Sequence, residues 1–383
     1  MKIKGFYNSK IYVYGKGIIK TSLLVEEGKI SKIDEDIKRE ELLQFGEEFI
    51  VIPGFVDKHI HGANGSDFMN PSQEDLRTIS TAIAQEGTTS CLATTMTQSL
   101  ENIGNAVANI AEYMENKPFG VEILGIHLEG PCVSKRVAGA QPPEFIIPCD
   151  KEVLDSLNQK AKQKVKQVTL AYEENGEAVL EHLIQQGIVV SLGHSYCTYE
   201  QAKKAIDAGA SSISHMFNAM SPIHHREIGL VGAGLVEDKV SCELICDLIH
   251  VSKPAVNLLF KAKGLQKICL ITDSIEAKYM PDGKYELGGQ PVFVKNNEAR
   301  LKDGTLAGST LKMNEAVRNF MKATGSSLTE AVDCATINPA RCLHVEKKKG
   351  SIEVGKDADF VVIDKELNVI MTICRGEVVY SKK

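Results

Sequence analysis

The chain has 383 residues, 43% hydrophobic and 25% charged, with a formal net charge of −6 at pH 7. That length carries one large α/β domain or two domains, and the absence of Trp, an aromatic content of 6% and the lack of any Lys/Arg cluster speak against a nucleic-acid or membrane-surface partner. No apolar run approaches membrane-spanning length, the N-terminus lacks an apolar signal stretch, and the ten Cys show no CxxC spacing, so a cytoplasmic protein with reduced, mostly buried thiols is expected.

In chain order, β-branched runs at 10–14, 17–25 and 30–33, divided by Gly and charged turns, predict strands. The last forty residues read similarly, at 350–354, 358–363, 369–374 and 377–380. Chain ends often lie close together, so residues 1–52 and 345–383 are expected to form one small β-sandwich domain. Between them, apolar strands are predicted at 55–61, 88–95, 121–127, 168–173, 188–194, 211–215, 240–247 and 268–273. Helical stretches separate them, among them 72–85, 102–115, 176–186 and 198–209. In the last, Thr198 and Gln201 form a capping-box pattern and Gly209 suits the C-terminal end. Residues 53–344 therefore predict an α/β fold, a (β/α)8 TIM-like barrel, with an open doubly wound sheet as the structural alternative. The Gly-rich stretch 229–234 has no nucleotide-binding spacing and reads as permissive backbone near a loop. An insertion at 278–301 carries turn signals such as Asp282-Gly283 and predicts hairpins.

Active sites of such barrels sit at the C-terminal ends of the strands. Of ten His, six fall at or just past those ends: His59, His61, His127, His194, His215 and His250. His59 and His61 share a strand face because side chains alternate with a period of two. Alone, such a pair reads equally as two satisfied polar residues. With Glu129, His194 and His215 at other strand ends, it reads as a divalent-metal site of the kind that suits Zn²⁺ or Fe²⁺. Glu129 ends an apolar strand, where a carboxylate is costly without a partner. Asp273 ends the eighth strand and is either a turn residue or a metal-associated general base. Cys242 and Cys246, four apart on a predicted strand, form no known metal motif. For the basic loop His224-His225-Arg226-Glu227, phosphate recognition by Arg and a solvated surface loop both remain open.

These residues lie within recognisable motifs. PGFVDKHIHG (53–62) and GSIEVGKDADFVV (350–362) resemble the opening and closing motifs of the amidohydrolase superfamily. HLEGP (127–131), SLGHS (191–195), SHMFNAMSPIHHREIGLVGA (214–233), LITDS (270–274) and GTLAGSTL (304–311) resemble, in order and over nearly the whole chain, its N-acetylglucosamine-6-phosphate deacetylase family. Many two-metal relatives bridge their ions with a carboxylated Lys on strand four. The predicted strand here, VTLAYEE, offers none, which disfavours dihydroorotase- or hydantoinase-like activity.

The resemblance implies a metal-dependent hydrolase that removes acetate from N-acetyl-D-glucosamine 6-phosphate, with the galactosamine epimer or a non-catalytic sugar-phosphate-binding regulator as rivals. It implies Glu129, His194 and His215 as ligands of the principal metal, His59 and His61 as ligands of a second, and Asp273 as proton shuttle. Asn218, Ala219, Ala140 and Gln141 would contact the substrate, Arg226 and His225 its phosphate, and His250 the sugar. Leu306, Ala307 and Gly308 would line the acetyl and sugar pocket. One or two Zn or Fe ions per subunit and a homodimer, with part of the phosphate site supplied by the neighbour, are further expectations. Gln141 stands where some relatives carry a His that polarises the amide carbonyl; Gln donates a hydrogen bond there but cannot become a cation.

Overall fold

The computed structural model describes residues 1–37, 41–116 and 118–382. Its centre is an eight-stranded parallel sheet whose strands pair in chain order: Phe55–Asp57, Thr88–Thr94, Glu122–Glu129, Val165–Leu170, Val189–Leu192, Ser212–Ile213, Ser241–Ile245 and Ile268–Ile271. Thr88–Thr94 is buried along its whole length, as a strand covered on both faces must be. The ring closes through side chains and loops beyond the ladder. Asp273 N donates to His59 O (2.9 Å), and Thr272 Oγ1 donates to Asp57 Oδ2 (2.6 Å). This is the expected barrel, and the open-sheet alternative falls away.

Amphipathic helices wrap the barrel. Tyr199–Asp207 carries the expected Thr198/Gln201 capping box, and Gly209 follows it at φ +120°. The helix expected at 176–186 is the second half of Tyr172–Gln185, which Gly176 interrupts at φ +79°. The Gly-rich stretch is not loop backbone but the helix Gly229–Val236; a Cβ on Gly234 would stand 2.8 Å from Met216 Sδ, so the glycine there permits close packing.

The chain ends join in a separate seven-stranded sheet. It contains Gly5–Val13, Gly17–Glu26, Lys29–Ile33, Ile50–Pro53, Phe360–Ile363, Val369–Cys374 and Glu377–Ser381, with its own core around Phe6, Ile11, Val51, Phe360 and Ile373. All pairs are antiparallel except Ile11 with Val51. The strand expected at 350–354 is a loop instead. Gly350 sits at φ +84° with a hypothetical Cβ 2.8–2.9 Å from Ala340, Ile337 and Thr336, so this segment turns tightly against a helix and not in a ladder. Tyr12 OH to Asp333 (2.7 Å) and the buried Lys349, which ion-pairs with Glu122, Asp357 and Asp359, tie sheet to barrel.

The insertion forms hairpins as expected: Gly283–Leu287, Gln290–Lys295 and Glu298–Arg300 make a three-stranded antiparallel sheet over the C-terminal mouth of the barrel, where Leu287 and Arg300 face the central pocket. The expectation of uniformly reduced thiols is corrected: Cys132 and Cys149 form a disulfide, and eight further cysteines are free and buried. Among the described residues no helix is long and apolar enough to cross a membrane.

Candidate metal centre and active site

The strands predicted to end at His194, His215 and Asp273 overshoot the real ones, and the overshoot is where the site begins, whereas the third strand runs two residues past its predicted end, to Glu129. His194, His215 and Asp273 have φ of +43°, +26° and +48°, a region costly for residues with a Cβ. The extended ladder stops at Leu192, Ile213 and Ile271, and the next few residues swing their side chains over the barrel axis. Gly130 at φ +86° serves the same end after Glu129, because a Cβ there would collide with Thr97 Oγ1.

Four imidazoles converge on one carboxylate. Glu129 Oε1 lies 3.0 Å from His215 Nε2, 3.2 Å from His59 Nε2 and 3.4 Å from His194 Nε2, and Oε2 lies 3.1 Å from His61 Nε2. All five side chains are buried. The opposite ring nitrogens determine what this arrangement needs. His194 Nδ1 faces Val137 O and His215 Nδ1 faces Asn218 O, each at 3.1 Å; His59 Nδ1 faces Glu243 Oε2 at 2.8 Å. Those partners only accept, so each Nδ1 carries the hydrogen and each neutral ring turns an Nε2 lone pair toward Glu129. Lone pairs facing a carboxylate repel unless cations lie between them. His59 Nε2 is correspondingly buried with no hydrogen-bond partner. The groups able to hold a metal among the described residues are His59/His61/Glu129 and Glu129/His194/His215, which share Glu129. Mixed imidazole and carboxylate donors fit a divalent transition metal.

Protons answer the same need when no metal does. Burial works against charge on His59 and His61, but Glu129 and Asp273 outweigh it, holding His59 well above the ordinary imidazole range and His61 at about 9. Burial likewise opposes ionisation of Asp273, yet His59 and His61 hold its carboxyl below the usual range. Asp273 Oδ1 stands 3.2 Å from His61 Nε2 and 3.6 Å from His59 Nε2, beside both groups of donors. His127 lies below them. Its Nε2 meets Thr169 Oγ1 at 2.7 Å, and burial and the nearby His59 push its pKa well down, so it is a neutral floor residue.

Above the cluster opens a pocket of about 390 Å³. His61, Glu129, His194, His215 and Asp273 reach its floor, and Ala140, Gln141, Asn218, Ala219, His250, Leu306 and Gly308 line it. Three expected residues are elsewhere. Ala307 is fully buried, packed with Ile275, Leu287 and Val292 beneath the insertion. His225 and Arg226 are exposed on the 221–228 loop, outside this pocket's lining, with Arg226 Nη1 2.6 Å from His225 Nε2. Gln141 is committed to the carboxylate: its Nε2 donates to Glu129 Oε2 (3.0 Å) while its Oε1 accepts from Thr97 N (2.9 Å).

Sequence reasoning missed several residues. Arg300, Thr305 and Leu287 enter the pocket from the insertion and its flank. Asp247 fixes His250 by accepting from its Nδ1 at 2.6 Å. Glu243 and Lys58 lie fully buried under the cluster; the one available signal was a lone charge in the apolar strand SCELI. Lys166 does lie on the fourth strand, but its side chain is exposed and takes no part in the site.

Comparison with known proteins agrees with this geometry. The model of the amidohydrolase family matches residues 50–379. An N-acetylglucosamine-6-phosphate deacetylase of Bacillus subtilis (strain 168) is 44% identical over 366 residues, covering 94% of this chain and 92% of the relative. An N-acetylgalactosamine-6-phosphate deacetylase of Escherichia coli O157:H7 is 38% identical, covering 86% and 87%. The crystal structure of N-acetylglucosamine-6-phosphate deacetylase from Thermotoga maritima superposes with a TM-score of 0.90 at 39% identity, over 99% of this chain and all of that one.

Proposed function

The chain belongs to the amidohydrolase family, and from that premise we propose that it hydrolyses N-acetyl-D-glucosamine 6-phosphate to D-glucosamine 6-phosphate and acetate. The observation that carries the reading is the convergence of four Nε2 atoms on Glu129, with Asp273 beside them on the floor of a pocket. Glu129, His194 and His215 hold the principal ion, and His59 and His61 with Glu129 hold a second; Zn or Fe suits these donors. A divalent ion there supplies Lewis acidity, which makes water a nucleophile near neutral pH and draws charge from a carbonyl oxygen.

The remaining work falls to side chains. The Asp273 carboxylate, 3.2 Å from His61 Nε2 and beside both groups of donors, takes the proton of the attacking water and returns it to the departing amine nitrogen. Gln141 holds Glu129 in place, so in this reading it orients a ligand and does not polarise the amide. Asp247 keeps the His250 Nδ1 hydrogen engaged, leaving Nε2 free to accept from a sugar hydroxyl. His225 and Arg226, exposed and outside their own pocket, serve the phosphate in the pocket of a second copy, which makes the active form a homodimer.

The test is acetate release by the purified, metal-loaded protein from N-acetylglucosamine 6-phosphate, its galactosamine epimer and unphosphorylated N-acetylglucosamine. The gluco phosphosugar is expected to yield acetate and free amine one to one and fastest. Faster turnover of the epimer transfers the reading to that substrate, and no acetate from either phosphosugar overturns it.

A further inference from the structure

Beneath the ligand cluster lies a buried polar assembly that a barrel interior does not need for stability. Glu243, on the seventh strand, reaches past the eighth to the residues that follow the first. Its Oε2 accepts from His59 Nδ1 (2.8 Å) and from His215 N (3.3 Å), and its Oε1 accepts from Lys58 Nζ and from Gln167 Nε2 (3.0 Å). Lys58 Nζ also donates to Ser212 Oγ at 2.9 Å. Glu243, Lys58 and His59 are all completely buried. Four donors saturate the carboxylate, and Lys58 neutralises it.

A buried ion pair is commonly no more stabilising than well-packed apolar side chains, so its value here lies in what it holds. His59 is the one first-strand ligand whose far nitrogen is fixed; His61 Nδ1 has no partner. We propose that Glu243, neutralised by Lys58, is the positioning residue that locks His59 with its Nε2 toward Glu129 and so decides whether the His59/His61/Glu129 site retains an ion. The proposal rests on the two-ion reading given above. It follows from the general behaviour of carboxylates that hydrogen-bond the far nitrogen of a liganding imidazole.

Gln in place of Glu243 turns an amide N–H toward either Lys58 Nζ or the His59 Nδ1 hydrogen, so one donor must leave. The expected result for Glu243→Gln is loss of one metal equivalent after dialysis against a competing chelator, with the other retained, and an affinity for the lost ion weakened about 10- to 100-fold. His59→Gln should lose the same equivalent. The double variant Lys58→Met/Glu243→Met removes both charges together, which avoids a lone buried charge, and should also bind one ion while its thermal unfolding stays cooperative. Metal content by elemental analysis and Zn²⁺ titration calorimetry read the outcome independently of turnover. Two tightly held ions in Glu243→Gln or in the double variant overturn the positioning role. A single ion in the unaltered protein overturns the two-ion reading instead, and the proposal with it.

Discussion

Substitution of Asp273 by Asn isolates the proton-transfer step. The residue sits at φ +48°, a conformation Asn tolerates better than most residues. Its backbone bonds to His59 O (2.9 Å) and from Ser309 N (2.8 Å) do not involve the side chain. The fold around the site therefore stays, and the ion proposed for Glu129, His194 and His215 should be retained. What disappears is a carboxylate 3.2 Å from His61 Nε2 that can accept and return a proton. Positioned general acid–base groups contribute about 10²- to 10⁴-fold, which at about 1.4 kcal/mol per decade is a barrier increase of about 3–5 kcal/mol. Acetate release under saturating substrate should show kcat down by that factor and KM within a few-fold of the unaltered protein, with one or more metal equivalents still bound. A kcat within about threefold of the unaltered protein would refute the role given to Asp273, since that corresponds to less than about 1 kcal/mol of barrier.

Two further outcomes follow from shared partners. Glu129→Gln removes the only carboxylate common to both donor groups, so metal content by elemental analysis should fall by more than one equivalent, whereas His61→Gln should cost one at most. Lys349→Met leaves the buried Asp359 without its cation, and Glu122 and Asp357 with only Arg375 and Lys29, and should destabilise by about 3 kcal/mol at pH 7 in denaturant titrations. Burial alone would raise the carboxyls of Glu122 and Asp357; Lys349 outweighs it and holds both below their ordinary values. Groups lowered on folding stabilise above the unfolded carboxylate range and lose that contribution as pH falls through the folded values. The Lys349→Met defect should therefore be full at pH 7 and shrink below about pH 4. A defect that grows on acidification would contradict the assignment.

The barrel was legible because its strands are apolar runs of the right length and its helices carry caps such as Thr198/Gln201. The ligand cluster was legible because His and Glu recur at one end of those strands, a placement that packing does not require. Other features depend on contacts that spacing cannot report. The strand ends were misplaced because positive φ at His194, His215 and Asp273 is a local departure that an apolar pattern runs straight through. Segment 350–354 mimics a strand because Ile352 is buried in the terminal core from within a loop. Cys132 and Cys149, 17 apart, meet only because the intervening loop returns, with Ile147 N bonded to Pro131 O. Glu243 reaches His59 from the seventh strand, past the eighth, and Arg300 enters the pocket from the hairpins that turn signals announced at 278–301 without showing which side chains face the barrel mouth. Ala307 was assigned to the pocket with its neighbours, but its side chain points into the cluster beneath the insertion.

The most direct test of the account is metal removal and return on one preparation. Dialysis against a strong chelator, checked by elemental analysis, should abolish acetate release from N-acetylglucosamine 6-phosphate, and stoichiometric Zn²⁺ or Fe²⁺ should restore it. Undiminished acetate release from protein stripped of metal would contradict the claim that Glu129 and its four imidazoles are a catalytic metal centre.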